Sequence, residues 1–451
     1  MVDATPFLPG LSLVQGKAVV ARFDGGQLSS EGGLLVLREV ERRLGLADRL
    51  ATCLKDPRAP EKVVHRLTEI IRFRMLMIAA GYEDGNDADT LRRDSMFKLA
   101  LDRLPSDEEL CSQSTISRLE NLPDVRALLR LGRALVEQYC ASFRQVPERI
   151  VLDIDDTFDR VHGGQQLRLF NAFHDDYGFQ PIVVFDGEGR FVTAMLRPGK
   201  RPSGQEIRGF VRRLVGAIRA LWPKVEILLR ADSHYAGPEV FDWCRANRVD
   251  WVLGLAPNAA LSRHVVALEK STAERFKAAP SHGKVRRFMQ FYDAAQSWRR
   301  VERIIARVEA GPEGTNTRFI VTNLSGGRAK HLYEGLYWAR GQAENHIKAW
   351  KNPPCRRPHL LPPRRSQPVP PIPARRRLLA PVVDAPPHAQ TLDLARHAVR
   401  HLAIAPDQTR RSRHRAENPD QDPPAVERPR SSDLRRVPRP SAAPRCLKAG
   451  A

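Results

Sequence analysis

Aromatic side chains stop abruptly near the end of the sequence, which limits the part of the chain that can build a folded core. The 17 Phe, 6 Trp and 7 Tyr all lie at or before residue 351, whereas residues 352–451 contain 20 of the 35 Pro and 19 Arg. Proline interrupts helices and central strands, and a segment without aromatic residues has little with which to fill a core. The sequence therefore predicts a folded region over 1–351 and a disordered, basic, Pro/Arg-rich tail over 352–451.

Two origins of this tail fit its composition. A native tail of this kind would add non-specific affinity for DNA. A GC-rich gene that is read out of frame also gives an excess of Pro, Arg and Ala, and the change at Lys351 falls inside a segment that reads as a helix. We favour an out-of-frame C-terminus after Lys351, which predicts that another reading frame continues an amphipathic, aromatic-containing helix.

Charge and apolar content restrict the class of protein. The chain carries 73 Lys+Arg against 52 Asp+Glu, and its formal net charge of +21 favours a polyanionic partner, most simply nucleic acid. Its apolar runs are far shorter than the roughly 18–20 residues that span a membrane. The six Cys are scattered without a CxxC pair, so we expect a reducing cytoplasm, no membrane contact, and neither a zinc site nor a disulfide framework.

Two patterns of apolar residues divide the folded region. Helical spacing predominates over 1–145 and predicts a mostly helical N-terminal domain, which we expect to bind DNA. Short apolar runs then alternate with helical segments over 146–351, which predicts an α/β core. Weak alternation predicts a β-rich insertion at about 255–315. In the N-terminal region, Arg118 is expected either at a helix N-terminus that faces phosphates or in an ordinary capped helix.

Acidic residues interrupt or end two of the predicted strands. Asp153 and Asp155 alternate with apolar residues, so both point to one face of their strand, and Asp232 ends a second strand. Carboxylates in apolar strands are costly to bury unless something pairs with them. Each acid taken alone fits a turn cap or a partner for Arg. Three converging acids would instead hold Mg²⁺ or Mn²⁺, which prefer oxygen ligands.

The last predicted helix supplies a third acid. Arg340, Glu344 and Lys348 follow one another at four-residue intervals and share one helix face. One interpretation is a surface ion-pair ladder, in which each pair contributes a few tenths of a kcal/mol. The other is a metal-binding Glu flanked by cations that clamp phosphates.

The spacing of this helix resembles that of a known group of enzymes. Tyr337 is followed after two residues by Arg340, after three more by Glu344 and after six more by Lys351. This pattern is similar to the Tyr-Arg-Glu-Lys signature of one group of bacterial insertion-sequence transposases. The segments 81–87, 152–157 and 230–234 also look like this group.

The resemblance covers about residues 10–351 and implies a fold and a mechanism. It implies a ribonuclease-H-like core with a DDE triad of Asp155, Asp232 and Glu344 that binds two Mg²⁺ ions, with Mn²⁺ as a substitute. The implied reactions are cleavage of transposon ends and strand transfer into target DNA. The family's Asp-x-Thr pattern selects Asp155 as the first acid, and Asp153 becomes a supporting acid or the alternative first acid.

The resemblance also implies partners and DNA contacts. Tyr337 and Arg340 would hold the DNA backbone near the cut end, with Lys348 and Lys351 as further phosphate contacts. Trp298 is a candidate, by position alone, for stacking on a flipped base. The expected assembly is a DNA-dependent homodimer on transposon ends and target DNA in a bacterial, nucleoid-associated setting. Because the family normally continues with helices after this point, the tail predicts weak transposition or none.

Two other functions remain open at this stage. Residues 151–157 also fit the hydrophobic–DxDxT motif of haloacid-dehalogenase-type phosphatases, with Asp153 as nucleophile and Asp155 as general acid. That reading leaves the Tyr337–Lys351 helix and the positive charge unexplained. The third possibility is a non-catalytic DNA-binding protein derived from a transposase, which uses the N-terminal helices and the basic tail.

Overall fold

The computed structural model describes residues 10–20, 29–161, 168–278 and 283–351. The tail predicted over 352–451 lies outside the described residues. No helix within the described ranges is long and apolar enough to cross a lipid bilayer.

The described residues before the first strand form a series of α-helices. They are α1 Leu34–Leu44, α2 Leu46–Thr52, α3 Leu67–Ala79, α4 Ala88–Leu91, α5 Ser95–Ala100, α6 Gln113–Glu120 and α7 Val125–Ala141. The side chains of Asp94 and Asp124 accept hydrogen bonds from the first backbone N–H groups of α5 and α7 and so define where these helices begin. Because α6 begins at Gln113, Arg118 lies in its last turn and not at its N-terminus.

Strands and longer helices alternate after residue 148. The strands are β1 Arg149–Asp156, β2 Asp159–Arg160, β3 Leu169–Asn171, β4 Asp176–Phe179, β5 Ile182–Asp186, β6 Phe191–Met195, β7 Glu226–Ala231, β8 Val249–Leu255, β9 Val285–Asp293, β10 Glu302–Gly311 and β11 Gly314–Thr322. The helices are α8 Gly204–Leu221, α9 Pro238–Ala246, α10 Ala259–Ala278 and α11 Gly341–Lys351. This confirms the predicted α/β class, while the predicted domain bounds stay predictions.

Eight of these strands form one mixed sheet in the order β6-β5-β1-β7-β8-β11-β10-β9. Strands β1, β7 and β8 are parallel to one another, whereas β5 and β6 on one side and β9 to β11 on the other run antiparallel to their neighbours. A separate small sheet has the order β2-β4-β3. The carboxyl ends of the three parallel strands therefore meet at one edge of the main sheet.

The segment between β8 and the last helix differs from the β-rich insertion that we expected. It begins with the 20-residue helix α10, and its strands β9 to β11 extend the main sheet. Only Leu261, Val265 and Thr272 of α10 are buried. So few buried positions give a weak helical pattern in the sequence, which is why this helix was not predicted.

The two faces of the sheet pack against different helices. Residues of β1, β7 and β8 on one face share a core with α7, α8, α9 and α10. On the other face, Val183, Phe185 and Phe191 share a core with the N-terminal helices and with Ala343 and Ile347 of α11. Helices α1 to α6 and the last helix are thus held against the same side of the sheet, which is the side that Asp153 and Asp155 face, while α7 contributes to both cores.

Gly254 on β8 offers a test of this packing. A Cβ atom at this position would lie 2.7 Å from Tyr337 Oη and 2.9 Å from the backbone nitrogen of Ser233. We expect Gly254→Ala to lower the free energy of unfolding by about 1–3 kcal/mol, because backbone atoms must shift to admit the methyl group. Urea unfolding of the full chain measures this.

Gly216 is the matched control. It lies on the exposed side of α8, and a Cβ atom there would have no neighbour within 4 Å. Gly216→Ala should raise the free energy of unfolding by about 0.5–1 kcal/mol, because alanine favours a helix interior. Equal stabilities for the two variants would contradict the close packing of β8 against Tyr337.

Candidate active site

Two of the predicted acids lie side by side at the carboxyl ends of neighbouring parallel strands. The register of the parallel strands β1 and β7 pairs Ile154 with Ala231. The residue that follows Ile154 is Asp155, and the residue that follows Ala231 is Asp232. Ile154 and Ala231 are both buried in the core on the opposite face of the sheet. Since side chains alternate along a strand, Asp155 and Asp232 both point to the face covered by the last helical segment.

Asp155 is a buried carboxylate with one cationic partner. It is 9% exposed, and its Oδ2 accepts a hydrogen bond of 3.0 Å from Nη1 of Arg340. Burial raises the pKa of Asp155 to about 6; Arg340 opposes this rise, and the nearby charges of Asp156 and Asp232 add to it. The ionised form of this carboxylate therefore lacks full compensation, as is common where a side chain serves function rather than stability.

Glu344 lies across the cleft on α11. The segment that leads to it changes helix type, with a π-helix over His331–Tyr337, a 3₁₀ turn over Trp338–Arg340 and then α11. The Glu344 side chain is 54% exposed, and its Oε1 lies 3.5 Å from Nη2 of Arg340. One guanidinium group is thus shared between Asp155 and Glu344.

A cleft of about 760 Å³ opens between this segment and the sheet, and it is lined by Asp232, Tyr337, Arg340 and Glu344. Carboxylate oxygens suit a hard divalent cation. Within the described ranges, however, no three His, Cys, Asp or Glu side chains form a group that could hold a metal ion. Asp232 and Glu344 line the cleft, whereas Asp155 lies behind it and is connected to it through Arg340, whose guanidinium contacts both Asp155 and Glu344. The three acids are not gathered into one coordination group.

Asp153 has a different environment from Asp155, although the two residues share a face. Its two carboxylate oxygens accept hydrogen bonds of 2.6 and 2.7 Å from Nε and Nη2 of Arg230 on β7. The remaining Nη1 of Arg230 donates to the carbonyl oxygen of Leu336, at 2.8 Å. Burial raises the pKa of Asp153, and the paired guanidinium opposes that rise. Asp153 therefore joins two strands to the helical segment next to Tyr337.

The predicted DNA-contact residues between Tyr337 and Lys351 have different surroundings. Tyr337 lines the cleft, burial raises its pKa to about 12, and the guanidinium of Arg340 lies 5.9 Å from the centre of its ring. Lys348 is exposed on α11. Lys351 instead donates to the carbonyl oxygen of Phe158 at 2.5 Å and lies 3.3 Å from Asp159. This contact ties the end of α11 to the chain that follows β1.

Two predicted residues outside this helix do not line the cleft. Arg118 is exposed on α6. Trp298 packs edge-to-face on Phe241 of α9, with ring centres 5.3 Å apart, in the core on the opposite face of the sheet. Its assignment as a base-stacking residue rested on chain position alone, and the structure does not place it near Asp155.

An aromatic residue that we did not predict lines the cleft instead. Trp338 follows Tyr337 directly, is 39% exposed, and lies beneath the guanidinium groups of Arg286 and Arg307, at 4.9 and 5.8 Å from its ring centre. The sequence signal was its place inside the Tyr337–Lys351 signature. The two arginines belong to β9 and β10, so the strands after α10 contribute positive charge beside the acids.

Comparison with known proteins assigns the family. A family model described as the transposase DDE domain, group 1, matches residues 11–354. The chain therefore belongs to this family of DDE transposases, enzymes that cleave DNA and transfer DNA strands. The predicted DDE transposase is confirmed, and DDE transposases generally use divalent metal ions.

Curated proteins and solved structures do not refine the family assignment. No curated protein matches the chain. Among solved structures, a piggyBac transposase in a synaptic complex with hairpin DNA, determined by cryo-electron microscopy, shares 9% identity with a TM-score of 0.37. The match covers 70% of this chain and 68% of that chain. Similarity at this level assigns no residue.

Substitution of the two aspartates of β1 should separate their roles. Asp153→Asn leaves the buried guanidinium of Arg230 without its counter-charge, so we expect the free energy of unfolding to fall by about 3 kcal/mol. Asp155→Asn should leave it equal to or above that of the wild type at neutral pH. Urea unfolding of both variants measures the difference.

The sign of the Asp155 effect follows from its pKa. A carboxyl pKa of about 6 in the folded protein, above the ordinary 3.8, means that folding disfavours the ionised group once the pH exceeds the unfolded value. Removing the charge then restores stability at neutral pH and changes little under acid conditions. A larger loss for Asp155→Asn than for Asp153→Asn would contradict the roles assigned to these residues.

Proposed function

We propose that this chain is an insertion-sequence transposase of the Tyr-Arg-Glu-Lys group, which cleaves transposon ends and joins them to target DNA through Asp155, Asp232 and Glu344. The observation that carries this proposal is the placement of Asp155 and Asp232 at adjacent ends of parallel strands, with Glu344 across the cleft and Arg340 between them. The strand order β6-β5-β1-β7-β8, with β5 and β6 antiparallel, favours a ribonuclease-H-like core.

The acids of the candidate site would bind metal ions, and its cations would bind phosphates. Asp155, Asp232 and Glu344 would hold Mg²⁺, with Mn²⁺ as a substitute, and the bound ions would activate a water molecule or a 3′-hydroxyl and offset charge at phosphorus. Arg340 pairs with Asp155 and Glu344 and would form a bidentate contact with a phosphate of the bound DNA. Exposed Lys348 would add a point charge.

Substitution of the acids tests this proposal. Asp155→Asn, Asp232→Asn and Glu344→Gln should each lower the rate of Mg²⁺-dependent cleavage of end-containing DNA at least a hundredfold, since metal-ion charge stabilisation contributes several kcal/mol and about 1.4 kcal/mol is tenfold in rate. DNA affinity should change much less. Single-turnover cleavage and gel-shift binding measure the two effects.

Glu226 is the matched control for the acids. It begins strand β7, which Asp232 follows, and its exposed side chain pairs with Arg149 at the opposite end of that strand. Glu226→Gln should cleave at the wild-type rate. If the three cleft variants cleave as fast as this control, the proposed triad is wrong.

The site gives different support to the two alternative functions, a phosphatase and a non-catalytic DNA-binding protein. The phosphatase reading requires Asp153 as a free nucleophile, but both of its carboxylate oxygens are bonded to Arg230, so nothing in the site favours it. A non-catalytic DNA-binding protein is favoured by one observation, which is that no metal-holding group of three acids forms within the described ranges. Binding without cleavage at any Mg²⁺ or Mn²⁺ concentration would support that function.

The partners follow from the same proposal. Transposon ends and target DNA would be bound as duplexes by a DNA-dependent homodimer, associated with the bacterial nucleoid. Residues 352–451 stand where the family is expected to continue with packed helices, so we expect weak cleavage from the present chain. A chain whose reading frame is restored after Lys351 should cleave end-containing DNA faster in the same single-turnover assay. No gain in rate would contradict the out-of-frame interpretation.

A further inference from the structure

The small sheet formed by β2, β4 and β3 exposes an unusual amount of aromatic surface. Phe170 is 49% exposed, Phe173 is 91% exposed and Tyr177 is 46% exposed, all within eight residues of chain. Leu169 beside them is 40% exposed. Single exposed apolar residues need no explanation, but a contiguous group of them marks an interaction surface.

These side chains form an ordered array. Phe170 and Tyr177 are cross-strand partners with ring centres 5.3 Å apart, and the guanidinium carbon of Arg168 lies 4.7 Å from the centre of the Tyr177 ring. At the turn between β3 and β4, Phe173 packs edge-on against His174, at 5.0 Å. We call these five residues, Arg168, Phe170, Phe173, His174 and Tyr177, the aromatic platform.

The base of the platform is fixed next to the candidate active site. His174 stacks on Phe158, with ring centres 4.3 Å apart and planes 10° apart, and Phe158 lies three residues after Asp155. The carbonyl oxygen of Phe158 accepts the hydrogen bond from Lys351 at the end of α11. The platform is therefore anchored both to the chain that leaves β1 and to the helix that carries Glu344.

Close packing makes this anchor rigid. A Cβ atom on Gly178 of β4 would lie 2.3 Å from the carbonyl oxygen of Asp159 and 2.6 Å from the ring of Phe158. Strand β4 can approach β2 this closely only with glycine at that position. The small sheet that carries the aromatic rings is thus packed closely on the chain that follows β1.

Charge at the platform selects the kind of surface it contacts. Asp175 is exposed at the turn, and Asp176 is already paired with Arg160 at 2.5 Å. The platform presents aromatic faces, with the Arg168 guanidinium over one of them, whereas the backbone of a duplex is bound mainly by cationic and polar groups that contact its phosphates. Aromatic faces and a guanidinium group over a ring suit the flat faces of unpaired bases, and each stacked base contributes about 1–3 kcal/mol.

We propose that the aromatic platform binds unpaired bases of a DNA strand next to the point of cleavage. This inference deepens the proposed function and rests on it only for the presence of DNA at the cleft. Stacking accepts any base, since every base has an aromatic face. The platform would therefore hold opened DNA near Asp155 without reading its sequence.

The test uses binding and not cleavage, so its failure is separate from failure of the proposed triad. In full-length protein carrying Asp232→Asn, Phe173→Ala should weaken binding to a duplex with an oligo-dT overhang about tenfold, which corresponds to the loss of one stacked base. Binding to the blunt duplex should not change. Phe173→Trp should retain the affinity for the overhang, because it keeps an aromatic face.

Two further variants show whether the ring is what matters. Tyr177→Phe keeps the ring beneath Arg168 and should bind the overhang as before, whereas Tyr177→Ala should lose affinity. Tyr292 is the matched control. It is 61% exposed on β9, which is the edge strand opposite β6 in the main sheet, and Tyr292→Ala should not change binding to the overhang. Because Phe173 is almost fully exposed, Phe173→Ala decides the matter even if Tyr177→Ala fails to fold.

Three outcomes would overturn the inference. Unchanged binding of the overhang by Phe173→Ala would show that no base stacks there. Equal losses on overhang and blunt DNA would assign the platform to duplex contacts. Loss of self-association without DNA, measured by sedimentation of the variant against the wild type, would show that the platform is an interface between two copies of the chain.

Discussion

The buried ion pair between Asp153 and Arg230 determines how the rest of the site is assembled. Both side chains are almost fully buried, and the same guanidinium group that binds the carboxylate also binds the backbone of Leu336. Three elements, β1, β7 and the π-helical segment, are therefore joined by one charged group. Removing either partner of such a pair costs about 3–5 kcal/mol, so Tyr337 and Arg340 are held on the sheet by an interaction that is costly to break.

A second arginine makes the opposite kind of contact. Arg340 shares its charge between buried Asp155 and exposed Glu344, while Asp232 contributes a further negative charge nearby. One guanidinium cannot neutralise three carboxylates. Burial raises the pKa of Asp155 to about 6, and the nearby charges of Asp156 and Asp232 add to that rise. Asp155 thus shares one guanidinium with Glu344, whereas both carboxylate oxygens of Asp153 are bonded to Arg230. The same strand thus carries one acid that stabilises the fold and one that remains available for chemistry.

The sequence could predict features of the site that depend on neighbouring residues, but not contacts between residues that are far apart along the chain. The alternation in β1 correctly placed Asp153 and Asp155 on one face, because strand periodicity is a local property. The pairing of Asp153 with Arg230 joins residues 77 positions apart, and no local pattern distinguishes it from the many other Asp and Arg residues. The change from π-helix to α-helix before Glu344 was also missed, since the apolar spacing of residues 332–350 fits a single α-helix equally well.

The aromatic residues show the same limit more sharply. Trp298 and Trp338 have similar local surroundings in the sequence, each followed within two residues by an arginine. Yet Trp298 packs against Phe241 on one face of the sheet, and Trp338 lies in the cleft on the other. What separates them is the side of the sheet on which each side chain lies. Exposure of the platform rings depends likewise on β2 to β4 forming a sheet of their own. Aromatic residues that serve binding can therefore be recognised only after the sheet order is known.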